Sequence, residues 1–255
     1  MSTVHFVGAG PGATDLITFR GKELIQRSDV IIYAGSLVNP ALLDWAKPGA
    51  EIHNSALMTL DEVIEVMNEA NSVNKETVRL HTGDPSLYGA IREQIKRLNE
   101  LNIPWDICPG VSSFCAAAAA LGAEYTLPGI SQTVIITRVE GKTSVPDKEK
   151  LSSLAAHDTT MVLFLSASML DKVSKELISG GYLPETPAAI VYKASWPEER
   201  ILRGTVGTLA TLGKIEKIEK TALVVVGNIL SVSEDYELSR LYAPDFSTEF
   251  RKARK

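Results

Sequence analysis

The chain has 255 residues, 45% hydrophobic and 22% charged, and its 26 basic and 31 acidic side chains leave it at −5. That is enough chain for one large domain or two smaller ones with real cores. The acidic balance argues against a general nucleic-acid or anionic-membrane surface, and no apolar run is long enough to span a bilayer.

The N-terminal segment, MSTVHFVGAG, lacks a basic stretch followed by a long apolar one, so no signal peptide is predicted. Residues 4–7 read as a strand, 19–26 as a helix and 30–33 as the next strand. Thr59 and Glu62 form a capping-box pattern that opens a helix running to about residue 70. A buried strand is expected at 77–80. The loop LHTGDPSLYGA (80–90) follows, and then a helix carrying Ile91, Ile95, Leu98 and Leu101 at helical spacing. In such a loop Gly83 lets a ligand approach the main chain, while Pro85 biases Asp84 towards extended geometry.

A strand at 105–108 ends at Pro109-Gly110, and Ser112 or Ser113 caps the helix SSFCAAAAALGA, whose alanines favour helix and close packing. The alternation predicts a parallel sheet with helices on both faces. Leu127-Pro128-Gly129 breaks the pattern, which divides the chain into an N-terminal domain, 1–126, and a C-terminal domain, 127–255. The second half offers strands at 133–137, 161–165, 188–192, 200–202 and 223–226, and a helix at 169–178. The closing charged stretch, 245–255, is expected to fray. Cys108 and Cys115 fit a reducing, cytoplasmic compartment. His5, His53, His81 and His157 share no metal-ligand spacing with them, so no protein-bound metal is expected.

Residues 8–13, GAGPGA, satisfy a G-x-G-x-x-G/A fingerprint after a strand. A dinucleotide site also needs an acidic residue about 20 positions on to hold the ribose, but the second strand ends in Ile32-Tyr33-Ala34-Gly35-Ser36. Pro11 also removes an amide where phosphate-binding amides should converge. The dinucleotide reading falls behind. No Ser/His/Asp, Cys/His or paired-carboxylate arrangement is present either.

GAGPG, then Leu16-Ile17-Thr18, then HTGDPSLYG, then PGVSS before an Ala-rich helix resembles the tetrapyrrole (corrin/porphyrin) methyltransferase family in order and spacing over nearly the whole chain. Residues 33–38 (YAGSLV) and 137–143 (TRVEGKT) resemble the branch that methylates C11 of precorrin-4 or cobalt-precorrin-4. The runner-up is a relative acting on uroporphyrinogen III or another precorrin. The family commonly has Asp after the GPG turn. Here Ala13 stands in that place, with Asp15 two positions on.

The resemblance implies two α/β domains, an N-terminal parallel sheet and a C-terminal mixed sheet with the active-site cleft between them. It also implies a homodimer, S-adenosyl-L-methionine as cofactor, S-adenosyl-L-homocysteine as product and a tetrapyrrole substrate. By resemblance, the cofactor contacts fall on Pro11, Thr82, Gly83, Asp84, Leu87, Ser112, Ser113, Leu165, Ala194 and Ala222. Asp84 and Tyr88 are candidates to face the sulfonium, which carboxylates and aromatic rings stabilise. Ser36, Arg138 and Lys142 are the candidates to hold the polyanionic substrate, with Lys193 as an equally plausible surface charge.

Overall fold

The computed structural model describes residues 2–231 and 237–254. Its contacts divide the chain into two compact units, Met1–Ala120 with Lys193–Arg200, and Leu121–Tyr192 with Ile201–Lys255.

The first unit follows the expected alternation: β1 (Val4–Gly8), α1 (Phe19–Arg27), β2 (Val30–Tyr33), β3 (Glu51–Asn54), α2 (Leu60–Ser72), β4 (Thr77–His81), α3 (Ile91–Glu100), β5 (Trp105–Cys108) and the start of α4 (Ser113–Leu121). The strands form one parallel sheet in the order β3-β2-β4-β1-β5. Side chains alternate across it. Phe6, Val4, Val30 and Ile32 pack with Val63, Ile64 and Met67 of α2 and Ile95 and Leu98 of α3. Val7, Ile31, Val78 and Leu80 pack with Leu24 and Ile25 of α1. Both faces are therefore covered, as parallel sheets require.

The capping box is formed. Thr59 Oγ1 accepts from the Glu62 amide at 3.3 Å, and Glu62 Oε2 accepts from the Thr59 amide at 2.6 Å. Strand β3 was not legible in the sequence: EIHN is short and polar, and becomes a strand only by parallel pairing with β2.

The second unit contains β6 (Val134–Arg138), α5 (Leu151–Ala155), β7 (Thr160–Phe164), α6 (Leu170–Gly180), β8 (Pro187–Tyr192), β9 (Arg200–Thr205), α7 (Leu209–Ile215) and β10 (Ala222–Val226). Its sheet, β6-β7-β10-β8-β9, is mixed: β6 and β7 run parallel, while β10 runs antiparallel to β7 and β8. Leu151, Val173, Leu177 and Leu209 join Met161, Leu163, Ile190, Val224 and Val226 in one core. Helices α5 and α7, five and seven residues long, are too short to show a periodic stripe, so the sequence did not announce them.

Candidate active site

In the first unit, three adjacent strands end in glycine-containing turns, and their backbones touch. A Cβ placed on Gly8, the last residue of β1, would lie 2.6 Å from both Gly110 Cα and Gly83 O. One placed on Gly110, just past β5, would strike the Gly83 carbonyl. Gly10 and Gly83 bridge reciprocally: the Gly83 amide donates to Gly10 O at 2.8 Å and the Gly10 amide to Gly83 O at 3.2 Å. Gly83 holds φ +60°, a left-handed conformation that costs glycine little. Its bare face looks at the start of α4, with Ser113 N and Ser112 Cα 3.4 and 3.5 Å from an ideal Cβ. The loops carrying Pro11, Thr82, Gly83, Asp84, Ser112 and Ser113 thus meet at the carboxyl edge of the parallel sheet, where open α/β sheets bind ligands.

Asp84 has a structural duty. Its Oδ2 accepts from the Gly110 amide at 2.8 Å, and Oδ1 accepts from the Ser86 amide at 2.8 Å and from the Ser86 hydroxyl. Burial raises its pKa, but the bonds from the Ser86 hydroxyl, the Gly110 amide and the Ser86 amide outweigh it and leave the carboxyl below its ordinary value. The carboxylate clamps the loop after β4 to the turn after β5. Helix α3 starts only at Ile91, so Asp84 caps a turn rather than that helix.

The glycine-rich turn is clasped by residues 193–200, a contact that sequence reasoning missed. Trp196 Nε1 donates to Pro11 O at 2.9 Å, the Ala13 amide donates to Ser195 Oγ at 3.0 Å, and Asn39 Nδ2 donates to Gly12 O at 2.8 Å. The Trp196 indole fills the place where a Cβ on Gly12 would stand. Because Gly10 and Ala13 spend their amides inside the protein, no row of free amides is left for a pyrophosphate, consistent with the demotion of the dinucleotide reading. Ala194, within this clasp, is buried, while Asp15 is exposed. The only early hint was a tryptophan flanked by Ser and Pro after a strand. Trp196→Phe is expected to cost about 1 kcal/mol by leaving the Pro11 carbonyl unpaired, read as a lower urea midpoint with an unchanged slope.

Beside the loop after β4, a cavity of about 280 Å³ is lined by residues including Ala34, Leu37, Arg79, His81, Thr82, Leu87 and Tyr88. Ser36 is exposed between two of these residues.

In the second unit, Arg138 ends β6 and pairs in register with Phe164, the last residue of β7, so Leu165 follows at the same sheet edge. Ala222 opens antiparallel β10 at that edge, opposite Tyr192. Leu165 is 63% exposed. Arg138 directs Nη1 to Thr143 O at 3.1 Å and Nη2 to Ser144 O at 2.7 Å, so its planar end shapes its own loop. Lys142 is exposed on that loop.

Backbone conformation sets these positions apart. Tyr88, Leu165, Lys193, Ser195 and Thr221 are non-glycine residues with φ between 47° and 67°, each at or next to a candidate residue. Such conformations cost about 1–3 kcal/mol each and collect where a ligand must be met. Of the other such residues, Asn74, Asn102, Asp158 and Lys217 sit in ordinary turns after helices, and Ala90 immediately precedes α3. Among the described residues, no cluster of His, Cys, Asp or Glu could hold a metal, and no helix is long and apolar enough to cross a membrane.

Residues 3–210 match the family of Tetrapyrrole (Corrin/Porphyrin) Methylases. The chain is 56% identical over 252 residues to a cobalt-precorrin-4 C(11)-methyltransferase of Methanocaldococcus jannaschii, covering 99% of this chain and 97% of that protein. It superposes with a TM-score of 0.87 on the X-ray structure of a cobalamin biosynthetic enzyme, cobalt precorrin-4 methyltransferase, at 46% identity, covering 89% of this chain and 95% of that one. A uroporphyrin-III C-methyl transferase from Thermus thermophilus, complexed with S-adenosyl homocysteine, matches at 27% identity and a TM-score of 0.76, covering 90% and 93%. With this motif order, these two sheets and matches spanning nearly its full length, the chain belongs to the tetrapyrrole (corrin/porphyrin) methylase family.

Proposed function

We propose that the protein transfers the methyl group of S-adenosyl-L-methionine to C11 of cobalt-precorrin-4 or precorrin-4 in cobalamin biosynthesis. The observation that carries this reading is the convergence of three bare backbones, Gly8, Gly83 and Gly110, under a TGDPSLYG loop. The names of relatives at 46–56% identity support the position methylated. The two domains are proposed as 1–126 and 127–255. A homodimer in the cytoplasm is part of the same reading.

The residues suit such a cofactor. A glycine face and the hydroxyl-bearing residues Thr82, Ser112 and Ser113 leave close-approach backbone and neutral polar groups around Gly83. Pro11, Gly83, Asp84, Leu87, Leu165, Ala194 and Ala222 complete the proposed cofactor contacts. Asp84 and Tyr88 supply the negative charge and the ring face for the sulfonium. Ser36, Arg138 and Lys142 are proposed on the substrate side, where Arg138 contributes its charge and its hold on the loop bearing Lys142.

S-adenosylmethionine, when bound, supplies a methyl group already activated on sulfur. The chain's task is then positioning, and effective molarities of ~10⁵ M or more can come from it. A site without an acid–base pair is what that chemistry needs. The test is incubation with methyl-labelled S-adenosylmethionine and a panel of uroporphyrinogen III, precorrin-4 and cobalt-precorrin-4, locating the new methyl by NMR. Label at C11 of either precorrin-4 form is expected. Label only on uroporphyrinogen III would move the protein to another branch of the family.

A further inference from the structure

The first unit buries a cation that no carboxylate among the described residues neutralises. Arg79, on β4, is 7% exposed. Its Nε donates to Gln94 Oε1 at 3.1 Å and its Nη1 to Ile32 O at 3.2 Å. Both acceptors are neutral, and no ion pair involves this side chain among the described residues. Burial alone draws its pKa down to about 10. A charge taken from water without a partner is costly, so a buried guanidinium that stays cationic calls for a counter-ion.

His81 lies two residues further along β4 and therefore on the same sheet face. It is 5% exposed, its ring packs 6.1 Å from that of Phe6, and its Nε2 is buried with no hydrogen-bond partner among the described residues. Both residues line the 280 Å³ cavity. Its other charged lining residue, Glu93, is solvent-exposed. The volume falls below the ~300–1,000 Å³ of pockets that enclose whole drug-sized ligands. It has room for a side arm, not a macrocycle.

We propose that Arg79 and His81 form a subsite for one carboxylate arm of the tetrapyrrole substrate, the guanidinium Nη2 and the imidazole Nε2–H each donating to one carboxylate oxygen. This inference rests on the substrate class proposed above. A carboxylate offers two acceptor oxygens in one plane, which matches two donors rising from one strand face. His81 in its neutral form keeps Arg79 as the cation of the pair, so the subsite needs no proton uptake near neutral pH. His81 is a binding and positioning residue here, and no bond to it forms or breaks.

The experiment compares wild type with His81→Phe, which keeps the packing on Phe6, and His81→Gln, which restores an N–H donor. For each, KM and kcat are measured with the precorrin-4 form that wild type methylates, and S-adenosylhomocysteine affinity is measured by calorimetry. His81→Phe should raise KM about tenfold with kcat within a few-fold and the calorimetric Kd within twofold, and His81→Gln should recover part of the loss. An unchanged KM in a His81→Phe protein that still binds S-adenosylhomocysteine would overturn the subsite while leaving the methyltransferase reading intact. Equal losses for both ligands would also overturn it, making His81 a support of the fold. Failure of wild type to methylate either precorrin-4 form removes the substrate reading and this subsite together. Should His81→Phe not fold, the ¹⁵N spectrum of histidine-labelled wild type decides. The His81 Nε2 resonance should move on saturating substrate and hold still with S-adenosylhomocysteine alone, and a resonance indifferent to substrate ends the proposal.

Discussion

Gly83→Val is expected to lower S-adenosylhomocysteine affinity by a hundredfold or more while a folded protein remains. Two costs add. A β-branched residue at φ +60° is a genuine outlier, worth about 1–3 kcal/mol. The backbone cannot rotate away from that angle, because the Gly83 amide and carbonyl are both tied to Gly10 and the carbonyl is pressed against Gly8 and Gly110. The second cost is steric. A Cβ alone would make ordinary contacts with Ser112 and Ser113, but the valine methyls would reach beyond it into the space before α4. Gly83→Ala should therefore show the strain with little of the blockage, losing about 1 kcal/mol of stability and much less affinity. Calorimetry on both variants, with circular dichroism to confirm folding, separates the two costs. Normal binding by a folded Gly83→Val protein would remove this loop from the cofactor site.

The protein should lose stability as pH falls from about 6.5, well before its carboxylates titrate. Burial, and then the neighbouring Arg79 charge, push the His81 pKa down to about 3. The unfolded chain has an ordinary imidazole near 6.5. Between those values the unfolded state binds a proton that the folded state refuses, so stability rises with pH across the window. The contribution is fully present above about pH 6.5 and disappears as pH drops towards 3. A shift of this size is worth on the order of 5 kcal/mol across the whole window, and about half of that is lost between pH 7 and 4.5. Asp84, whose pKa lies below its ordinary value, is lost in the same direction but only below the ordinary carboxylate range. Urea unfolding at pH 7, 6, 5 and 4.5 should show a falling midpoint in wild type and a flat one in His81→Phe over the same interval. Parallel slopes in the two proteins would mean another group dominates the acid limb.

Much of this architecture is local and could be read from the chain. Strand β2 spans the four residues expected of it, because VIIY is a β-branched and aromatic run between polar flanks. Helix α2 begins where Thr59 and Glu62 satisfy each other, a signal complete within four residues. The glycine spacing of GAGPGA and TGDPSLYG marked the loops that meet at the sheet edge, since only glycine leaves a backbone bare enough to touch another.

What remained hidden depended on partners distant in sequence. Strand β3 exists because β2 offers its edge, and no periodicity in EIHN announces that. Trp196 reaches the Pro11 carbonyl across 185 residues, a contact that only the folded chain can create. That the Asp84 carboxylate also clamps Gly110 and Ser86 could not be read from the sequence. Arg138 looked like a free cation at a strand end, yet its fork closes on Thr143 and Ser144. His81 and Arg79 read as two polar residues in a strand, and nothing local says whether their partners are other side chains, solvent or a ligand. Sequence by itself determined most of the strands and the longer helices, and where bare backbone lies, because propensity, capping and glycine act within a few residues. Tertiary structure alone decided which polar atoms are already satisfied and which are left for a ligand, because hydrogen bonding and desolvation depend on everything packed around a group.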